Sequence, residues 1–310
     1  MMTKRQRIET VLAGEVPDKT PISLWYHFGT QHEPGDIIAQ LALEFFRYYD
    51  LDWLKLMNDY PYPLPEGLET IESESDLNKI ISFNLIPPGW TEQLKAIKKI
   101  DWELKQSAFF VDTIFDSWTT FQRMAGENTE ILLKKHPKKV LLALENITNN
   151  LELYAQESLR SGSNGIFLSV AADKNLFDRE SFNTFVRPFN IKLLNSIKND
   201  NLMNIAHVHG NNVHFDQILD YPVKIFNWFD RAVETPNLLD IKQKISGIVM
   251  GGIDHSILHS LSVPGIRKHV HEAIKLGGTE RFLMSGGCSI STDTPSDHIN
   301  ATVEAIKTQP

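Results

Sequence analysis

Two histidines, His207 and His209, form the clearest chemical pattern in the sequence. They stand one residue apart within residues 205–211, which have the composition of a strand that runs into a turn. Successive side chains of a strand alternate between its two faces, so both imidazoles are expected on the same face. Two neighbouring imidazoles at a strand end are a typical metal-binding pair.

The only cysteine, Cys288, follows a second apolar run, residues 281–284. If the fold brings the two strand ends together, they offer two nitrogens and one thiolate. This set suits zinc and leaves one coordination position open. A lone cysteine is more often inert packing, but Gly286 and Gly287 beside this one favour an accessible thiolate.

The composition is that of a soluble globular enzyme. The chain has 310 residues, of which 42% are hydrophobic and 23% are charged, and its formal net charge is −8. This acidic balance argues against a nucleic acid or an anionic membrane as the main partner. No apolar run reaches the ~18 residues of a membrane span. One cysteine forms no internal disulfide and no leader-like apolar segment follows Met1, so we expect a cytoplasmic protein.

The elements that position these side chains are eight short apolar runs that alternate with stretches of helical spacing. The predicted strands are 21–28, 52–59, 108–115, 164–170, 202–208, 223–228, 246–251 and 281–284. The predicted helices are 3–13, 37–49, 117–125, 138–161, 179–199, 212–219, 236–244, 263–276 and a last one with Thr294 as N-cap, Pro295 at the first helical position and Asp297 at the third. Residues 66–107 read as a helical insertion.

This alternation predicts an α/β fold with parallel strands. Eight such units indicate a single (β/α)8 TIM barrel over residues 1–310, with an N-terminal helical extension. The alternative is an open doubly wound sheet. Its dinucleotide-binding form is weakened because no G-x-G-x-x-G motif follows the first predicted strand.

In a barrel of this kind the catalytic face lies at the carboxyl ends of the strands. Nearly every predicted strand ends in a polar or titratable group: Tyr26 and His27, Asn58 and Asp59, Asp112 and Asp116, Ser169 and Asp173, His207 and His209, Asn227 and Asp230, Asp254 and His255, and Cys288. Some of these are expected to be caps and turns. His27 fits a core histidine as well as a site residue, and Asp59 fits a turn.

With these residues in hand, the chain resembles the uroporphyrinogen decarboxylase superfamily over its whole length. The segments that carry the resemblance are 12–21, 55–59, 163–169, 207–211, 251–254 and 286–295. Within the superfamily the chain is similar to the zinc-dependent methylcobamide:thiol methyltransferases. The resemblance implies a (β/α)8 barrel and a zinc site with the pattern His-x-Cys and a distant Cys.

Position by position, the first ligand of that pattern falls on His207 and the last on Cys288. The middle cysteine falls on His209, which is a departure. A neutral imidazole in place of a thiolate leaves one negative charge fewer, which puts the rate of thiol methylation in doubt. The decarboxylases themselves look different, because they carry arginines at the first strand and residues 24–28 have none. Asp59 matches their catalytic aspartate in position.

The resulting hypothesis is methyl transfer from a methylated corrinoid, presented by a partner protein, to a small-molecule thiol. His207, His209 and Cys288 bind Zn²⁺. Asp59 or Asp254 orients the ligand or takes the thiol proton. Tyr26, His27 and Trp228, with Trp25, border the corrinoid. The alternatives are a metal-free decarboxylase of a carboxylate substrate and a non-enzymatic barrel that binds a corrinoid or tetrapyrrole. The resemblance also allows a homodimer.

Overall fold

A computed structural model describes residues 1–199 and 203–308 of the chain. The described strands form one parallel sheet in which each strand pairs with the next along the chain. They are Trp53–Leu56 (β1), Phe109–Phe115 (β2), Ile166–Ala171 (β3), Ile205–His209 (β4), Ile225–Trp228 (β5), Ile248–Ile253 (β6) and Phe282–Gly286 (β7). The predicted strand 202–208 begins at Leu202, which lies outside the described residues.

Helices connect these strands, except between β4 and β5, where the connection holds only a 3₁₀ turn. The α-helices of the described residues are Lys4–Leu12 (α1), Gly35–Tyr48 (α2), Glu74–Leu77 (α3), Pro88–Leu104 (α4), Ser117–Ala125 (α5), Thr129–Lys135 (α6), Pro137–Arg160 (α7), Arg179–Phe185 (α8), Arg187–Ser196 (α9), Leu238–Lys242 (α10), Val263–Gly277 (α11) and Ser296–Lys307 (α12). Among them, none is long and apolar enough to cross a lipid bilayer.

The sheet is curled, so that its two faces bury two separate cores. Side chains of the concave face meet in an inner cluster that draws on every strand, with members such as Trp53, Phe167 and Leu283. Side chains of the convex face pack against the surrounding helices in a larger cluster. Burial on both faces explains why the strands read as continuous apolar runs.

The prediction of eight strands is wrong at the first one, because residues 21–28 form no strand beyond a single bridge. Ile22 bridges Met284 of β7, and its carbonyl accepts a hydrogen bond from the amide of Asp52 just before β1. Beyond this point the segment leaves β7, and the Trp25 carbonyl accepts a hydrogen bond from the Ile290 amide. The apolar pattern reflects burial of this segment between β7 and β1 rather than a regular ladder.

A buried carboxylate holds this segment in place. Asp52 accepts a hydrogen bond from the Ile22 amide at 3.0 Å and pairs with the guanidinium of Arg7 in α1 at 2.6 Å. Its side chain is 1% exposed, and that of Arg7 is 6% exposed. Lys19 lies 3.4 Å from the second carboxylate oxygen. The charge of Asp52 therefore ties the first helix and residue 22 to the start of β1.

Several helix predictions also need correction. The predicted helix 179–199 is two helices, α8 and α9, that meet at Val186, and the predicted helix 212–219 is only the 3₁₀ turn Phe215–Gln217. Thr294 does not cap α12: Pro295 occupies the N-cap position with extended φ and ψ, so the helix starts one residue later than predicted. Residues 66–107 hold α3 and α4, and α6 was not predicted.

Candidate metal centre

The ends of β4 and β7 meet at the carboxyl edge of the sheet. His207 and His209 lie on the concave face of β4, and Cys288 stands two residues beyond β7. One ligand atom from each of the three residues lies within 4.8 Å of the others. Two strands separate β4 from β7 in the sheet, so the curl of the sheet is what brings the three side chains together.

Two glycines shape the turns that carry these ligands. Gly210, directly after His209, has a φ of +137°, and a Cβ there would lie 2.7 Å from the Cβ of Asp173. A Cβ on Gly287, directly before Cys288, would lie 2.6 Å from the Cα of Phe229. Both positions therefore require glycine, because neither the backbone angle nor the close approach tolerates a side chain.

Asn227 of β5 fixes the ring of His207. The Nδ2 group of Asn227 donates to the carbonyls of Met250 and Gly286 at 3.0 and 3.1 Å and to the Ser285 hydroxyl at 3.2 Å. Its Oδ1 is therefore the atom that faces His207 Nδ1, at 2.6 Å. An amide oxygen only accepts, so Nδ1 of His207 carries a proton and Nε2 is the ring nitrogen left for a metal.

The second imidazole and the thiol form a polar pair. The Nδ1 atom of His209 lies 3.9 Å from the Cys288 sulfur. Burial by itself raises the pKa of the Cys288 thiol, but hydrogen bonding and positive charge from His207 and His209 outweigh it and lower that pKa to about 3. The same contact raises the pKa of His209. The cluster therefore holds its cysteine as a thiolate, the form that binds metals.

The donor set fits a zinc ion. Two imidazole nitrogens and a thiolate are ligands that zinc prefers, and an uncharged hydrogen-bond acceptor behind one imidazole is a typical support for a metal-binding histidine. A cavity of about 340 Å³ opens beside the three ligands. A fourth ligand can reach the cluster through this cavity, as catalytic zinc sites require.

Comparison with known proteins identifies the family of this chain. The sequence pattern of the family described as uroporphyrinogen decarboxylase (URO-D) matches residues 3–309. The chain belongs to the URO-D family. No curated protein sequence matches it.

Solved structures share the fold of this URO-D family chain. A methyltransferase from Methanosarcina mazei superposes with a TM-score of 0.80 at 19% identity, over 99% of this chain and 99% of that one. A B12-independent methionine synthase from Shewanella sp. W3-18-1 gives a TM-score of 0.61 at 10% identity, over 93% of this chain and 91% of that one. The putative vitamin-B12-independent methionine synthase from Listeria monocytogenes gives 0.56 at 13%, over 88% and 86%.

Asp59, which the sequence analysis predicts as a catalytic residue, lies outside the metal-site cavity. Its carboxylate accepts from His27 Nδ1 at 2.7 Å and from the amide and hydroxyl of Thr30 at 3.3 Å. Partial burial raises the pKa of Asp59, and the hydrogen bonds from His27 and Thr30 more than reverse this, so the pKa is lowered. Tyr26, also expected near a cofactor, packs against the rings of Phe28 and Phe45.

Two tryptophans that the sequence analysis predicted at the mouth of the site are instead buried in the cores of the protein. Trp228 is fully buried on the convex side of the sheet, where it packs edge-on against Phe215 and donates from Nε1 to the Pro236 carbonyl. Trp25 is 4% exposed and belongs to the inner core. The prediction that Trp228 binds a cofactor is therefore wrong for this conformation, since a strand-end aromatic residue can face either side of the sheet.

His255, and not its neighbour Asp254, borders the metal-site cavity. The Asp254 carboxylate accepts from the amide and hydroxyl of Ser256, at 3.0 and 2.6 Å, and so holds a turn. The His255 ring packs on Phe229 with ring centroids 4.4 Å apart, and its buried Nδ1 has no hydrogen-bond partner among the described residues. Burial lowers its pKa. The sequence analysis indicated the end of this strand, but the alternation of side chains did not show whether Asp254 or His255 lines the cavity.

Sequence reasoning also missed Lys55 of β1, a buried cation beneath the cluster. Its ammonium group lies 4.3 Å from the centre of the Phe167 ring and 5.1 Å from that of Trp25. Among the residues that the structure describes, no carboxylate pairs with it. Burial lowers the pKa of Lys55 to about 7, although Cys288, Asp59 and Asp112 act in the opposite direction. Phe167 stacks in turn on His207, with centroids 5.1 Å apart.

Proposed function

We propose that this URO-D family protein is a zinc-dependent methyltransferase that transfers a methyl group to a small thiol. The observation that carries the proposal is the cluster of His207, His209 and Cys288, whose ligand atoms lie within 4.8 Å of one another. Binding of a carboxylate substrate alone does not require a cysteine between two imidazoles, whereas binding of zinc does require such ligands.

Each ligand has a defined role. His207 offers Nε2, because Asn227 occupies its Nδ1. His209 presents Nδ1 toward the Cys288 sulfur. Zinc bound by these three residues would lower the pKa of a substrate thiol at the open position, so that the thiolate forms at neutral pH.

The cavity suits a small acceptor. Its volume is about 340 Å³, and its walls include Phe229, His255 and the Asp173 loop. The Asp173 carboxylate is engaged with the amides of Asn175 and Asn211, at 2.9 and 3.0 Å, so it shapes the wall rather than binding the substrate. The His255 side chain lines the same cavity, and we assign it the role of taking the thiol proton.

The methyl donor in this proposal is a methylated corrinoid delivered by a partner protein. The thiolate sulfur forms a bond to the methyl carbon while the carbon–cobalt bond breaks, and its electron pair stays with cobalt. Fold similarity to a protein named as a methyltransferase is compatible with methyl transfer. The methionine synthases of similar fold are named as B12-independent, so they support transfer to a thiol but not a corrinoid donor. The donor is inferred from the resemblance of residues 207–211 and 286–295 to the methyltransferase branch.

The cluster also argues against the two alternatives. A decarboxylase that worked in the cavity beside the cluster would need cationic groups there to bind its substrate carboxylates, and none of the described residues that line this cavity is arginine or lysine. A passive corrinoid carrier needs no thiolate with a lowered pKa. Both alternatives therefore have less support than methyl transfer.

A direct assay tests the proposal. Zinc-loaded protein is mixed with methylcobalamin and a panel of small thiols, and demethylation of the corrinoid is followed by its absorption spectrum. We expect turnover by the wild type, loss of turnover in Cys288→Ser and His209→Ala, and retention in Asp254→Asn, whose carboxylate only holds a turn. Wild-type rates in His209→Ala would refute the assignment of the zinc ligands.

A further inference from the structure

A second cavity lies between the segment that follows β1, the end of β2 and the helices α4, α5 and α7. Its volume is about 140 Å³. The residues that line it and those that line the cavity of the metal centre form two separate sets. The walls are mainly aromatic: Tyr60, Tyr62, Trp90, Phe115 and Tyr154.

The hydroxyl groups of the three tyrosines already have hydrogen-bond partners. The Tyr154 hydroxyl donates to the buried carboxylate of Asp112 at 2.7 Å, and the Tyr62 hydroxyl accepts from Asn150. Trp90 packs between these two rings, with centroids 5.5 Å from Tyr62 and 4.9 Å from Tyr154. What the walls offer to a ligand is therefore ring faces and edges. Cavities of about 150 Å³ with apolar walls bind single six-membered rings such as benzene.

One cation stands at the rim of this cavity. The guanidinium of Arg123 in α5 lies 3.8 Å from the centre of the Phe115 ring. Among the described residues, no carboxylate forms a hydrogen bond or ion pair with it. The two carboxylates that influence it from a distance are engaged elsewhere: Asp116 caps α5 at the Thr119 amide, and Asp59 binds His27.

The exposed guanidinium of Arg123, held against an aromatic wall, is free to pair with an anion at the mouth of the cavity. Its fork of donors matches the two oxygens of a carboxylate, and a charge-assisted pair of this kind is among the stronger hydrogen bonds in proteins. Desolvation beside the cavity already lowers the pKa of Arg123. A carboxylate would satisfy the guanidinium, and a flat ring attached to it would fill the aromatic cavity.

We propose that this cavity is a binding site for a small aromatic carboxylate, with the ring between Tyr62, Trp90 and Phe115 and the carboxylate paired with Arg123. The site is separate from the metal centre, so the proposal does not depend on the methyltransferase function. It assigns a ligand to a part of the carboxyl edge that has no role in the binding of zinc.

Calorimetric titration with benzoate and nicotinate tests the site. The wild type is compared with Arg123→Gln and with the matched control Arg47→Gln, which removes an exposed arginine that pairs with Glu103 far from the cavity walls. Benzamide serves as the uncharged ligand of the same shape. Because Arg123 is exposed at the rim, its variant is expected to fold, and a melting curve checks this.

We expect the wild type to bind benzoate or nicotinate, and Arg47→Gln to bind the same ligand with the same affinity. Arg123→Gln should bind that ligand about tenfold more weakly or worse, because it lacks a charged hydrogen bond. Benzamide should bind weakly to all three proteins. Equal affinity of Arg123→Gln and wild type for the carboxylate, equal binding of benzamide and benzoate by the wild type, or no binding of either carboxylate would overturn the proposal.

Discussion

The two sides of the sheet place charged groups at the carboxyl edge in different ways. On the side of β4 to β7, the metal ligands come from a strand end and a short turn, and Asn227 of β5 holds one of them. On the side of β1 and β2, the charged groups Lys55, Asp59 and Arg123 lie apart, and each contacts a different aromatic or imidazole ring. Regular strands give the first side a compact cluster, whereas long connections give the second side separate charges.

The two sides also differ in how their buried charges are balanced. The thiolate of the metal centre is balanced by two adjacent imidazoles. The buried cation Lys55 has only ring faces and the Met57 sulfur beside it. Burial of a charge without a counter-ion costs stability. We therefore expect changes on the β1 side to alter stability and changes on the β4–β7 side to alter metal binding.

The largest effect on stability is expected at Asp52. Asp52→Asn leaves Arg7 with one buried partner fewer and weakens the tie between residue 22 and β1, so we expect a loss of about 3 kcal/mol in the free energy of unfolding. Asp50→Asn is the matched control, since Asp50 forms only exposed ion pairs with Lys4 and Lys307. Urea denaturation measures both, and equal losses in the two variants would contradict the role of Asp52.

The second prediction concerns Lys55, whose replacement is expected to stabilise the fold. The pKa of Lys55 falls from 10.5 to about 7 in the fold. The unfolded chain therefore binds more protons between these pH values, and the penalty from Lys55 is full below pH 7 and fades toward pH 10.5. Lys55→Met should raise the free energy of unfolding by roughly 1–4 kcal/mol at pH 6 and by less at pH 9.

Urea denaturation in the presence of a chelator measures the effect of Lys55→Met at both pH values. Lys98→Met, which removes an exposed lysine, controls for the change in net charge. A variant at position 55 that is less stable than the wild type at pH 6, or whose gain grows with pH, would show that the buried ammonium has a counter-charge.

On the side of β4 to β7, Asn227→Ala should weaken zinc binding about 10–100-fold, because the His207 ring loses the acceptor that fixes its tautomer. Ser285→Ala removes only one of the three groups that orient the Asn227 amide, so its effect should be smaller. Competition with a chromophoric chelator gives both affinities. Wild-type affinity in Asn227→Ala would mean that Asn227 has no part in the site.

The smallest effect is expected at Asp59. Its hydrogen bond with His27 is half-exposed, so Asp59→Asn should cost about 0.5–1 kcal/mol at neutral pH. Because the folded pKa of Asp59 is lowered, this contribution exists above its ordinary pKa and disappears as acid protonates the folded protein. Zinc affinity and thiol methylation should remain unchanged. A loss of methylation in Asp59→Asn would place this carboxylate in the reaction.

The sequence predicted the parallel sheet and the meeting of β4 and β7, because these depend on local alternation and on the curl of a parallel sheet. It did not predict that residues 21–28 contribute only one bridge at Ile22, since an apolar segment buried beside a sheet reads like a strand. The burial of Trp228 and the choice between Asp254 and His255 depend on which face each side chain takes after the strand ends. Lys55 was missed because the rings around its ammonium group, Trp25 and Phe167, come from distant parts of the chain.

The central claim is that His207, His209 and Cys288 form one zinc site. Elemental analysis of protein purified without added metal or chelator, beside the Cys288→Ser and His207→Ala variants and an Asp254→Asn control, tests it most directly. The account predicts about one zinc per chain in the wild type and the control, and loss of zinc in both ligand variants. No zinc in the wild type and no uptake on titration would contradict it, as would full zinc content in Cys288→Ser.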